Sequence, residues 1–168
     1  MITKATLQDI PALNTLINSA YRGESSKKGW TTEAHLLEGK RTTEEELTAI
    51  FLDPKNTFLK YTENDKIIGS VLLVEKEHQL YVGMLTVSPK LQNREKRKKM
   101  LAEAEVHAKT LGLSTLSMTV VSVRSELIAW YNRHGYVDTG EREPFPASDI
   151  HINVSDKPLE FIHLEKKI

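Results

Sequence analysis

Residues 2–5 read as a short strand, after which the chain takes a helical period, with Leu13, Leu16, Ile17 and Ala20 forming one stripe. Asp9 is suited to cap that helix, and Pro11 falls in its first turn, where a missing N–H costs little. The pattern breaks over residues 21–41, where Gly23, Ser25, Ser26, Gly29 and Gly39 mix with Trp30, Leu36 and Leu37; an ordered loop or short helix held by a few apolar anchors is expected. Thr43 followed by Glu46 reads as a capping box, and Leu47, Ile50 and Phe51 give the buried face of a second helix. After Pro54 the period becomes two: residues 57–62 and 67–76 flank a hairpin turn at Asn64-Asp65, and residues 79–87 follow as a third strand. Gly83 within that strand marks a bulge or a close approach. Residues 94–111 return to the helical period through Met100, Leu101, Ala104, Ala108 and Leu111, with Gly112 as the stop. Residues 115–121 alternate again, Ser125 is placed to cap a helix through His134, and residues 136–141 and 159–166 read as two last strands joined by a loop containing Pro144, Phe145, Pro146 and Pro158.

The predicted order is strand, two helices, three strands, helix, strand, helix, two strands, which argues for an α/β or α+β fold with a partly antiparallel sheet. With 168 residues and 39% apolar content, one domain spanning residues 1–168 is expected to bury a core unaided. The 23 basic and 23 acidic residues cancel, so electrostatic attraction to a partner has to be local. Cysteine is absent, which removes thiolate nucleophiles, Cys-ligated zinc and disulfides together. The first residues lack the apolar core of a secretory signal and no segment has the length of a membrane span, so a soluble, cytoplasmic protein is expected, with no membrane partner and either monomeric or homodimeric. The six histidines show no HExxH or other metal spacing, and no metal is expected; no Gly-x-Ser-x-Gly elbow supports serine hydrolysis.

Candidate chemistry concentrates between Leu80 and Tyr136. A strand ending in Val87-Ser88-Pro89 leads through Gln92-Asn93-Arg94 into a helix, an arrangement that aims unpaired backbone N–H groups and the positive helix end at an anion. Lys90, Arg94, Lys96, Arg97, Lys98 and Lys99 crowd that helix start. Such a run serves as a solvated face or as a holder of cofactor phosphate; a nucleic-acid role is the weakest, because Met100 and Leu101 resume the core pattern at once and no exposed aromatics interleave. A second helix then delivers Tyr131 beside the same strand end.

Residues 87–94, reading Val-Ser-Pro-Lys-Leu-Gln-Asn-Arg, and residues 129–136, reading Ala-Trp-Tyr-Asn-Arg-His-Gly-Tyr, resemble, in this order, two motifs of the GCN5-related N-acetyltransferase (GNAT) superfamily. The resemblance implies a mixed, mostly antiparallel seven-stranded sheet with about four helices, splayed near Gly83 to Val87. It implies acetyl transfer from acetyl-CoA to an amine of a small molecule or peptide by direct attack in a ternary complex. Leu85, Thr86 and Val87 would meet the acyl carbonyl and pantetheine arm; Gln92, Asn93, Arg94, Lys96, Arg97, Lys98 and Lys99 would meet the diphosphate. Tyr131 would be the general acid, since a phenol of pKa near ~10 keeps a proton that a thiolate of pKa near ~8.5 can accept. Arg124 stands where many members place a pantetheine-binding asparagine; it reaches either a phosphate or a substrate carboxylate, or pairs with Glu126 or Glu141.

The chain departs from the motif at Glu95 and Arg97, which occupy positions that are small in the superfamily loop. Small residues let backbone donors approach phosphates closely. A carboxylate ~6 Å from one phosphate charge at an effective dielectric near ~20 repels by roughly 3 kcal/mol, about a hundredfold in affinity. The alternative reading is therefore a noncatalytic binding or regulatory module that keeps the scaffold without efficient acyl-CoA binding. No acid occupies the strand over residues 79–85, so Glu75, or Glu24 and Glu33 from the early loop, are the candidates for the base, and Trp30 is a candidate wall of the acceptor pocket.

Overall fold

A computed structural model describes residues 1–21, 37–38, 42–88, 94–144, 152–153 and 160–168. The elements run β1 (Ile2–Lys4), α1 (Ile10–Tyr21), β2 (Leu37–Glu38), α2 (Glu44–Leu52), β3 (Asn56–Glu63), β4 (Lys66–Glu75), β5 (Leu80–Val87), α3 (Arg94–Thr110), β6 (Thr115–Val121), α4 (Ser125–Arg133), β7 (Val137–Pro144), β8 (Ile152–Asn153) and β9 (Glu160–Lys167). Seven strands form one sheet in the order β1-β3-β4-β5-β6-β9-β7, while β2 and β8 make a separate two-stranded ladder. Within the large sheet the described pairs are antiparallel except β5 with β6. This is the mixed, mostly antiparallel seven-stranded fold with four helices that the sequence motifs imply.

Local chemistry explains most of the boundaries. Asn64 and Asp65 take φ of 50° and 64°, the left-handed pair that a tight hairpin between β3 and β4 requires. Thr43 Oγ1 accepts from the Glu46 N–H at 3.1 Å and starts α2. Gly112, at φ 75°, ends α3. Two expected caps differ. Asp9 immediately precedes α1 but ends a 3-10 turn over Leu7–Asp9, and its carboxylate points back to accept the Thr6 N–H at 2.8 Å. Ser125 is the first residue of α4, behind Arg124 at the capping position. The strand β7 also extends through Pro144, which the sequence places in a loop, because a proline is tolerated where the ladder reaches the sheet edge.

The two faces of the sheet carry different cores. Leu13, Ile17 and Leu47, each 0% exposed, pack from α1 and α2 against Phe58 and Leu72. Full burial of such a side chain contributes about 1.5–3 kcal/mol. On the opposite face α3 and α4 bury Met100, Leu101, Ala104, Trp130 and Tyr131 against Val71, Leu80, Leu116 and Leu164. Among the described residues no helix covers the β6, β9 and β7 half of the α1 face, and no helix is long and apolar enough to cross a membrane.

Candidate functional site

The sheet is open at its centre. Parallel strands β5 and β6 pair only through Leu80 with Leu116 and Tyr81 with Ser117, then separate toward their C-terminal ends. A bulge helps to drive them apart: between the pairs Ser70 with Thr86 and Leu72 with Gly83, the single residue Val71 faces both Met84 and Leu85. Met84 takes φ 48°, a conformation that costs a non-glycine residue and therefore has to be held by its surroundings. The Thr86 hydroxyl contributes, donating to the Met84 carbonyl at 2.9 Å. Gly83 is needed beside it, since a Cβ there would stand 2.9 Å from the Tyr81 ring. The resulting cleft, about 570 Å³, passes between the strands and is lined by residues from both faces of the sheet.

On the helix side, Leu85, Arg124, Leu127 and Tyr131 line this cleft. Tyr131 is 4% exposed, with its ring held edge-on by Trp130 at 5.4 Å and Tyr136 at 5.8 Å. The amphipathic α4 sets that placement by burying Leu127, Trp130 and Tyr131 together. Arg97 lies behind the tyrosine, 2% exposed, and its Nη1 makes long hydrogen bonds to Tyr131 Oη at 3.4 Å and the Leu85 carbonyl at 3.5 Å. A guanidinium can only donate, so Tyr131 Oη is the acceptor in that contact and its own proton is directed elsewhere, as an acid requires.

The remaining basic residues at the start of α3 diverge. Lys96 pairs with Glu63 and lies 5.4 Å over the Tyr61 ring, against the β3–β4 hairpin. Lys98 lines a separate cavity of about 130 Å³ with Glu105, His134, Tyr136 and Lys166. Arg94, Glu95 and Lys99 are exposed. The Glu63 carboxyl is held below the usual carboxylate range, first by the hydrogen bond from Lys96 and, more weakly, by the Lys99 charge. Thr86 and Val87 are buried in β5, and Glu75 is exposed at the end of β4. Glu24, Trp30, Glu33, Gln92 and Asn93 lie outside the described residues.

Several residues in the cleft escaped the sequence reading. Tyr81, Ser117, Thr119, Glu141, Glu143 and His163 line its other side. Tyr81 Oη and Thr119 Oγ1 share a hydrogen bond of 2.8 Å across the opening. His163 Nε2 stands 3.0 Å from Glu143 and Nδ1 stands 3.8 Å from Glu141. The Nε2 contact is a close approach rather than an aligned hydrogen bond, because the ring nitrogen direction misses the carboxylate. A signal was present: Glu141 and Glu143 are spaced by two on a strand, which puts both carboxylates on one face.

Comparison with known proteins agrees with this architecture. A sequence profile described as an acetyltransferase (GNAT) domain matches residues 24–146. The fold matches the ribosomal-protein-S18-alanine N-acetyltransferase of Escherichia coli with a TM-score of 0.73 and 14% identity, over 100% of this chain and 93% of that one. The ribosomal-protein-alanine N-acetyltransferase of Brucella melitensis matches with a TM-score of 0.73 and 15% identity, over 100% and 99%. A GNAT family acetyltransferase of Elizabethkingia anophelis with acetyl-CoA bound matches with a TM-score of 0.59 and 15% identity, over 75% and 84%. At these identities the likeness carries the fold. No curated protein sequence matches. The chain belongs to the GNAT acetyltransferase family.

Proposed function

We propose that the protein is an N-acetyltransferase that takes acetyl-CoA on the helix side of the β5–β6 cleft and an amine from the other side. The observation that carries this reading is the opening itself, with β5 on one wall and Tyr131 lining the same space. An extended, amide-bearing chain suits such an opening, because it can pair with β5 where β6 has left. Acetyl-CoA supplies the acyl carbon and a thiolate leaving group. Backbone N–H groups of β5 near the Met84 bulge stabilise negative charge on the acyl oxygen as the amine adds. Tyr131 then protonates the departing sulfur, and the positive Arg97 beside its oxygen offsets the phenolate that is left. Arg124, which lines the cleft, and Arg94 at the start of α3 bring positive charge toward the phosphate-bearing part of the donor, and Leu85 keeps a backbone role in which Arg97 already engages its carbonyl.

Glu95, exposed in the first turn of α3, favours the second reading, a scaffold that binds acyl-CoA poorly, because a carboxylate there competes with an incoming anion for the helix terminus. Tyr131→Phe separates the two. The variant keeps the packed ring and loses the hydroxyl, both its proton and the oxygen that accepts from Arg97; kcat is expected to fall by about a hundredfold, within the usual range for an acid–base group, while acetyl-CoA affinity stays within about threefold. Turnover unchanged in steady-state assay would remove Tyr131 from the chemistry.

A further inference from the structure

The acceptor side of the cleft has its own charge pattern, and the inference drawn from it rests on the acetyltransferase reading above. Register puts Tyr81, Ser117 and Glu165 side by side on β5, β6 and β9, and Thr119 beside His163 one step further along the same face. Glu141 and Glu143 on β7 lean over the histidine from the sheet edge, 75% and 59% exposed at their side chains. Lys76 lines the same side of the cleft, with its Nζ lying 5.4 Å over the Tyr81 ring. A second observation points to a ligand here: the Ser117 residue is 7% exposed, lines the cleft, and its Oγ has no hydrogen-bond partner among the described residues. A buried hydroxyl of that kind carries a desolvation cost that a polar ligand atom would relieve. The histidine and carboxylates do not form a metal site, since among the described residues no group of three or more is arranged to hold one.

We propose that this face receives the acceptor as a dicationic amine, with its ammonium groups held by Glu141, Glu143 and the Ser117 hydroxyl, and that His163 takes the proton the reacting ammonium has to lose. One N–H bond of the ammonium breaks, its electron pair stays on nitrogen, and the proton bonds to a ring nitrogen of neutral His163, whose other nitrogen is turned toward a carboxylate. The N–C bond forms and the C–S bond breaks. Of the two protons lost from nitrogen, one leaves through His163 to solvent and the other restores the proton that Tyr131 delivers to sulfur. The sum is ammonium and thioester in, and amide, thiol and one proton out. Glutamates select a second positive charge because an amine of equal length bearing a carboxylate would meet like charges instead.

The test is calorimetric titration of the full chain, with and without CoA, using 1,4-diaminobutane and 4-aminobutanoate. The diamine is expected to bind at least about tenfold more tightly, and the double variant Glu141→Gln with Glu143→Gln should reduce that preference to below about threefold while leaving CoA affinity unchanged. Both glutamates are largely exposed, so the double variant should melt with the wild type. His163→Gln is expected to lower kcat for diamine acetylation at least about tenfold with KM changed less than about threefold, whereas the glutamate variants should raise KM. Equal or reversed amine affinities, an undiminished preference in the double variant, or undiminished turnover in His163→Gln would overturn the proposal. If CoA gives no heat while the diamine preference persists, the donor reading fails and takes the His163 step with it, while the dication-binding part of the proposal stands.

Discussion

Tyr136 is 1% exposed, packed edge-on to Tyr131, and its hydroxyl has no hydrogen-bond partner among the described residues. Burial, together with the negative charge of Glu105, pushes its phenol far above the ordinary tyrosine value, so it stays neutral. Tyr136→Phe is therefore expected to leave stability unchanged or raise it by up to about 1 kcal/mol in urea unfolding, and a loss larger than that would show that the hydroxyl is satisfied. Tyr131 was legible because its motif states a residue type at a fixed place on an apolar helix. Arg97 was read as part of a phosphate-facing run, yet extending the Met100, Leu101, Ala104 and Ala108 stripe back by one turn puts it inside, where the structure finds it. Its charge concealed its phase.

At the scale of elements, the entry into α1 depends on an ionic clasp. Asp9 accepts from the Thr6 N–H at 2.8 Å and from Lys60 Nζ on β3 at 2.9 Å, tying the turn before the helix to the sheet. Burial works against its charge, but the hydrogen bonds from Thr6 and Lys60 outweigh it and hold the carboxyl below its usual range. A depressed carboxyl stabilises the fold above its unfolded value and loses that contribution as pH falls through the folded one. Asp9→Asn should therefore cost about 1 kcal/mol near pH 7, and its difference from wild type should close progressively below about pH 4. A gap that persisted at the acid end, measured by chemical unfolding, would assign the loss to packing instead. The bulge on β5 was half legible: Gly83 marked the place, but the strained residue is Met84, and backbone strain leaves no composition signal in a methionine. The two-residue spacing of Glu141 and Glu143 was present in the chain, but their approach to His163 depends on the β7–β9 pairing across the sheet, which no local pattern reports.

For the whole molecule, alternation, caps and stop signals specified the element order, because each is a local effect repeated along the chain. The cleft arises from a long-range event: two parallel strands that meet at one end and part at the other. That parting gives one sheet two chemically different sides, with Arg97, Arg124 and Tyr131 on the helix face and His163, Glu141 and Glu143 on the other. In the proposed reaction, donor and acceptor would meet through the sheet without sharing a face. On the proposed function, this opening grips acetyl-CoA although Glu95 and Arg97 stand where small residues are usual. Calorimetric titration of the full chain with acetyl-CoA tests it most directly. A single saturable site with a Kd of about 100 μM or tighter is predicted; weaker binding, or no heat at millimolar acetyl-CoA, would contradict it.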